Sequence, residues 1–189
     1  MKDEFPQRKS PRAKWCEYNE GLYFVTVCTR NMKHHFGKIE NGAMTLTRTG
    51  VFLTHELKNA SLHHSHIEIP LHVVMPNHFH AIVKISPPVG TQRAASESTD
   101  NTFYSEQQAD AARCVPTSSP CKTAATKSLL SCYVASLKSA VTRYAHSIQV
   151  DFAWQPRYHD HVIRGIEDGN NIAQYIKGNI ANWERDCFY

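Results

Sequence analysis

Two histidines two residues apart, His78 and His80, lie in the segment Val73-Val74-Met75-Pro76-Asn77-His78-Phe79-His80-Ala81-Ile82-Val83-Lys84-Ile85, whose latter half reads as a strand. Alternation along a strand puts His78, His80, Ile82 and Lys84 on one face and Phe79, Ala81, Val83 and Ile85 on the other, which can go to the core. Two imidazoles are then held side by side on a rigid element. Neutral imidazole is the commonest protein ligand for divalent cations, so the chemistry suggested is metal binding. With twelve histidines in the chain a pair of this kind also arises by chance, and alone it does not define a site.

A second stretch supplies what the pair lacks. A helix expected from about Asp168 or Gly169 to about Arg185 buries a stripe of Ile172, Ile176, Ile180 and Trp183, with Tyr175 at its edge and Asn179 within it. A buried, unpaired amide costs about 1–3 kcal/mol, so Asn179 needs a hydrogen-bond partner or a cation. Spacing of four places Tyr175 one turn from Asn179, and an amide oxygen aimed at a metal would leave the phenol beside that metal. His78, His80 and Asn179 make three ligands. Open positions would then be left for water or a phosphate oxygen, as hydrolytic and transesterifying centres require.

The elements that must position these groups are legible in outline. Leu22–Thr29 is β-branched and aromatic and reads as a central strand. Phe36–Ile39 and Ala43–Leu46 flank Glu40-Asn41-Gly42, and the Asn-Gly pair signals a hairpin. Thr47 or Thr49 caps a helix expected to reach about His63, with Val51, Leu53 and Leu57 inward. Strands Ile67–Met75 and Asn77–Ile85 are separated at Pro76-Asn77. A helix from near Thr126 carries Leu130, Val134, Leu137, Val141 and Tyr144 on one face, and Phe152–Ile163 reads as extended.

Composition limits the alternatives. The 189 residues suffice for one domain with excess, 41% are hydrophobic, and the net charge of +4 permits nucleic-acid binding without demanding it. No apolar run approaches a membrane span or a signal-peptide core, so a cytoplasmic protein without a membrane partner is expected. Six cysteines without a Cys-x-x-Cys pair read as free thiols. Residues 1–21 form a basic arm, with Lys2, Arg8, Lys9, Arg12 and Lys14 against Asp3 and Glu4. The rest, 22–189, reads as one domain interrupted at about 86–125 by a flexible insertion rich in Ser, Thr, Ala, Gln and Pro.

Three motifs in order resemble one family. Val73–His80, Trp154-Gln155-Pro156-Arg157-Tyr158 leading to His161-Val162-Ile163-Arg164, and Asn171-Ile172-Ala173-Gln174-Tyr175-Ile176 with Asn179 are similar to the REP-associated tyrosine transposases. These form a branch of the insertion-sequence-200-like superfamily of single-tyrosine HUH transposases. The likeness runs from about Tyr23 to Trp183, excluding the insertion. It implies a ferredoxin-like α+β fold, an antiparallel sheet with helices packed on it and the histidine pair on a central strand. It also implies that His78, His80 and Asn179 hold a divalent metal, Mg²⁺ or Mn²⁺ by ligand type, with Tyr175 as nucleophile.

The implied activity is that of a site-specific DNA endonuclease and strand-transferase. It would cleave and rejoin single-stranded DNA near hairpins through a 5′-phosphotyrosine, as a monomer or homodimer. An unperturbed phenol with a pKa of about 10 is a weak nucleophile at neutral pH and needs such a neighbourhood. Arg157, Asp160 and His161 are expected to support the ligands or contact DNA, Asp160 standing where the family usually has Glu. Ile180 stands where related sequences often have Pro, and Gly178 weakens the helix just before Asn179. Two alternatives remain open: a catalytically silent DNA-hairpin-binding protein derived from a transposase, and an unrelated metal carrier.

Overall fold

The computed structural model describes residues 18–86 and 128–186, all within one compact unit. The basic arm, up to Glu17, and the Ser/Thr-rich insertion lie outside the described residues.

Strand β1 (Gly21–Cys28) runs antiparallel to β5 (His78–Ile85) on one side and β6 (His159–Val162) on the other, while β4 (Ile67–Val74) closes the far edge. The order is β4-β5-β1-β6, so the histidine strand is central, as the ferredoxin-like expectation requires. Hairpin β2 (Gly37–Glu40) and β3 (Ala43–Leu46) turns at Asn41-Gly42, both with positive φ (53° and 71°), the conformation for which Asn-Gly is favoured.

Parity divides the core in two. Tyr23, Val25 and Val27 with Phe79, Ala81, Val83 and Ile85 face α1 (Arg48–Lys58) and α3 (Leu129–Ser147). On the opposite face Val73, Ile82 and the partly buried Phe24 and Leu71 pack against Ile172 and Ile176 of α4 (Gly165–Gly178) and against Trp183 beyond it. The sheet is therefore sandwiched, and the histidines share the face covered by α4.

Several expectations change in detail. The first helix is capped by Thr47, whose hydroxyl accepts from Gly50 N–H, but it ends at Lys58, and a separate turn, α2 (Ala60–His63), follows Asn59. Val51 is not inward: it is 56% exposed, because it lies about 200° around the helix from buried Leu53. Only His159–Val162 of the extended stretch forms a strand, although Trp154 bridges Thr29. Lys138 on α3 donates to the Gln155 and Arg157 carbonyls and shapes the rest, with Arg157 at φ 69°.

The last helix departs most from expectation. It starts at Gly165, earlier than Asp168, because Asp168 reaches back from the first turn to accept from Arg164 N–H at 2.9 Å. It stops at Gly178 rather than continuing to Arg185, and a 3-10 turn at Trp183–Arg185 follows. Asn182 donates from both its backbone and its side chain to the Gly178 carbonyl, satisfying the helix end.

Candidate metal and nucleophile site

His78 and His80 are 0% and 1% exposed, and their Nε2 atoms approach to 3.0 Å. Each ring is fixed from behind. His78 Nδ1 lies 2.8 Å from Asn77 Oδ1, an acceptor, so Nδ1 carries the proton and the Nε2 lone pair points into the site. His80 Nδ1 lies 2.8 Å from the hydroxyl of buried Thr26, its cross-strand partner. With that nitrogen protonated too, His80 Nε2 can accept from Tyr175 O–H, 3.3 Å away. Burial, reinforced by His80, lowers the pKa of His78 to about 3. Burial, reinforced by His159, lowers that of His80 to about 4. Both rings stay neutral, the state in which imidazole binds metal.

Tyr175 is 45% exposed on the last full turn of α4, its ring edge-on to Phe24 and His80. Phe24 in turn stacks on His80, so the phenol is positioned by β1 and β5 together. Asn179, one turn on, is 3% exposed, and its Oδ1 has no hydrogen-bond partner among the described residues. The orphaned oxygen is what a ligand position would show before its cation arrives.

One group in this site was not read from the sequence. Asp186, delivered by the 3-10 turn, places Oδ2 3.7 Å from His78 Nε2, and the ligand atoms of His78, His80 and Asp186 all lie within 4.8 Å of one another. Tyr175, Asn179, Arg185 and Asp186 line one pocket of about 330 Å³ together with Gln174, Gly178 and Asn182.

The donor set fits a divalent ion. With both Nδ1 atoms protonated, the two Nε2 lone pairs face each other at 3.0 Å and a cation between them relieves the repulsion; two bonds of about 2.1 Å at a right angle span about 3 Å. Two imidazoles, a carboxylate and an amide oxygen suit Mg²⁺ or Mn²⁺ better than a thiolate-seeking metal.

The three supporting residues are placed differently. His161 pairs across Phe24, on the His80 face, and its Nε2 is 3.0 Å from Asp168. Asp160 pairs with Val25 and so belongs to the opposite, α3-covered face, away from the imidazoles. Arg157 is exposed in the bend before β6. His159, which the sequence reading passed over, shares Thr26 as neighbour with His80 and lies on the face that carries the imidazoles. The structure thus brings His78, His80 and Tyr175 together, sets Asn179 in the pocket that Tyr175 lines, and leaves Asp160 on the other face of the sheet.

No protein-family profile matches the chain. A solved REP-associated tyrosine transposase bound to a REP hairpin superposes with a TM-score of 0.56, at 19% identity, over 93% of this chain and 74% of that one. The α+β fold read from the motifs is therefore the fold of a REP-associated tyrosine transposase. An uncharacterized protein of Haemophilus influenzae is 30% identical over 184 residues, 96% of this chain and 93% of that protein. The chain belongs to one family with that Haemophilus protein.

Proposed function

We propose that the chain is a metal-dependent single-stranded DNA transesterase that cleaves and rejoins DNA near hairpins. The observation that carries this reading is the Tyr175 hydroxyl 3.3 Å from His80 Nε2, which itself lies 3.0 Å from His78 Nε2. A nucleophile next to a metal-ligand pair is the arrangement that phosphodiester transfer needs.

Tyr175 Oη attacks phosphorus, forming an O–P bond as the bond to the 3′-oxygen breaks. The phenol gives up one proton and the 3′-oxygen gains one, leaving a 5′-phosphotyrosine and a free 3′-hydroxyl. Attack by a 3′-hydroxyl reverses the exchange, so rejoining needs no nucleotide cofactor, and the sequence contains no Gly-x-x-x-x-Gly-Lys phosphate loop. A metal held by His78, His80 and Asn179 would polarise the phosphoryl oxygen and orient the scissile group. Phe24 and the edge of His80 hold the phenol in place. Arg185, at the pocket wall, offers charge to a phosphate.

The test is incubation with hairpin-bearing single-stranded oligonucleotides and Mn²⁺, followed by denaturing electrophoresis and peptide mass spectrometry. The expected result is a covalent adduct on Tyr175 that Tyr175→Phe abolishes while DNA binding persists. Binding without any adduct from the unmodified chain would leave the silent hairpin-binding protein as the correct reading.

A further inference from the structure

Asp186 owes its position to the way the last helix ends. Continued as a straight α-helix from Gly178, residue 186 would lie about 12 Å further along the axis. Instead the chain turns at Asn179–Asn182 and tightens into Trp183–Arg185, capped by Asp186 N–H donating to the Trp183 carbonyl at 3.0 Å. Trp183 anchors this turn. It is buried among Val73, Met75, Ile82 and Ile176, and its ring lies 6.0 Å from that of His78 and 5.8 Å from that of His34. The Asp186 side chain, 4% exposed, is thereby held with Oδ2 3.7 Å from His78 Nε2.

We propose that Asp186 is a metal ligand of this centre, completing a two-histidine, one-carboxylate set with His78 and His80, and that the bound metal staples the C-terminal turn over the site. The inference rests on the reading above that the histidine pair binds a divalent cation. It assigns the principal third bond to a carboxylate rather than to the helix amide of Asn179. Charge decides between the two, since a carboxylate adds a full negative charge to a dication that two neutral imidazoles do not offset, and an amide offers only a dipole. Convergence supports the same choice, because the three donor atoms already lie within 4.8 Å of one another. Asn179 then takes an auxiliary position in the same pocket, next to the nucleophile.

A carboxylate ligand from the segment after α4 has a further effect. Tyr175 lies on α4 between the strand ligands and the turn that carries Asp186, so a metal joining both ends fixes the helix that presents the phenol. Metal loading and positioning of the nucleophile become one event.

The experiment is a Mn²⁺ titration of the full chain followed by electron paramagnetic resonance, alongside Asp186→Asn, Asn179→Ala and His80→Ala, with hydrogen exchange read on residues 183–186. Asp186→Asn should weaken Mn²⁺ by at least about 100-fold, beyond the range typical of losing an outer hydrogen-bond partner, and by more than Asn179→Ala does. In the unmodified chain, saturating Mn²⁺ should slow exchange in 183–186. Mn²⁺ affinity within about threefold of the parent in Asp186→Asn, with binding lost in His80→Ala, overturns the proposal and leaves the metal-dependent reading standing. Should Asp186→Asn fail to fold, absence of any slowing in 183–186 of the unmodified chain overturns it equally. No Mn²⁺ binding by the unmodified chain overturns both.

Discussion

His80 works through what stands behind it. Its Nδ1 is held by Thr26, so Nε2 is turned toward His78 and Tyr175. Thr26→Val keeps the shape and removes the oxygen; Mn²⁺ affinity should fall about 10–100-fold with the fold retained, read by the same titration. If affinity is unchanged, the ring is oriented by packing against Phe24 alone. At this scale the sequence disclosed the histidine pair, because strand alternation is rigid, and Tyr175 with Asn179, because a helix turn is. Thr26 and Asn77 were hidden: their contact with the imidazoles depends on strand register and loop geometry, which one chain does not display. Asp186 was hidden for another reason, since its place depends on where α4 stops.

Elements were legible where local chemistry is strong and illegible where tertiary contacts intervene. The Asn41-Gly42 hairpin and the Thr47 cap emerged as read, but the stretch 152–163 is shaped by Lys138 reaching across from α3, which no local pattern announces. Gly178 was read as a weak point inside a helix and proved to be its end. Helix α1 shows how tightly the elements are fitted. A Cβ on Gly50 would meet the Phe36 carbonyl oxygen at 2.1 Å and Leu46 Cδ2 at 3.0 Å. Replacing Gly by Ala in a helix ordinarily gains about 1 kcal/mol, but here backbone must move. Gly50→Ala should therefore lower stability by about 1–3 kcal/mol in urea denaturation. A gain would mean that α1 is free to shift away from the hairpin. Phe36 N–H donates to the Pro76 carbonyl, so the same displacement would reach the residues before His78.

At the scale of the molecule, the buried imidazoles link the site to global stability. Burial holds His78 at about 3 and His80 at about 4, against about 6.5 for a free ring. Between those values the unfolded chain binds more protons than the folded one, so stability rises with pH and is lost as pH falls below about 6.5 toward 4. Metal-free protein should be less stable at pH 5 than at pH 7 by roughly 2 kcal/mol per ring, measured by urea melts in chelator. Equal midpoints would show that the rings become charged without penalty in the fold. No helix among the described residues is long and apolar enough to cross a membrane. The antiparallel sheet with helices packed on it was implied by the family resemblance, and alternating side chains marked the two faces of its strands. How the terminal turn closes on the sheet was not, since it depends on Trp183 finding its pocket.

The placement of Trp183 gives the centre its own optical label. The chain has three tryptophans, Trp15, Trp154 and Trp183, and the first lies outside the described residues. Trp154 is buried in the core on the other side of the sheet, with Lys138 over its ring. Trp183 alone of the two described indoles borders His78, its ring tilted 31° to the imidazole plane. Light emitted by that indole therefore originates about 6.0 Å from the His78 ring. A chain keeping only this tryptophan would report occupancy and closure of the terminal turn in one fluorescence signal, without dye, DNA or turnover.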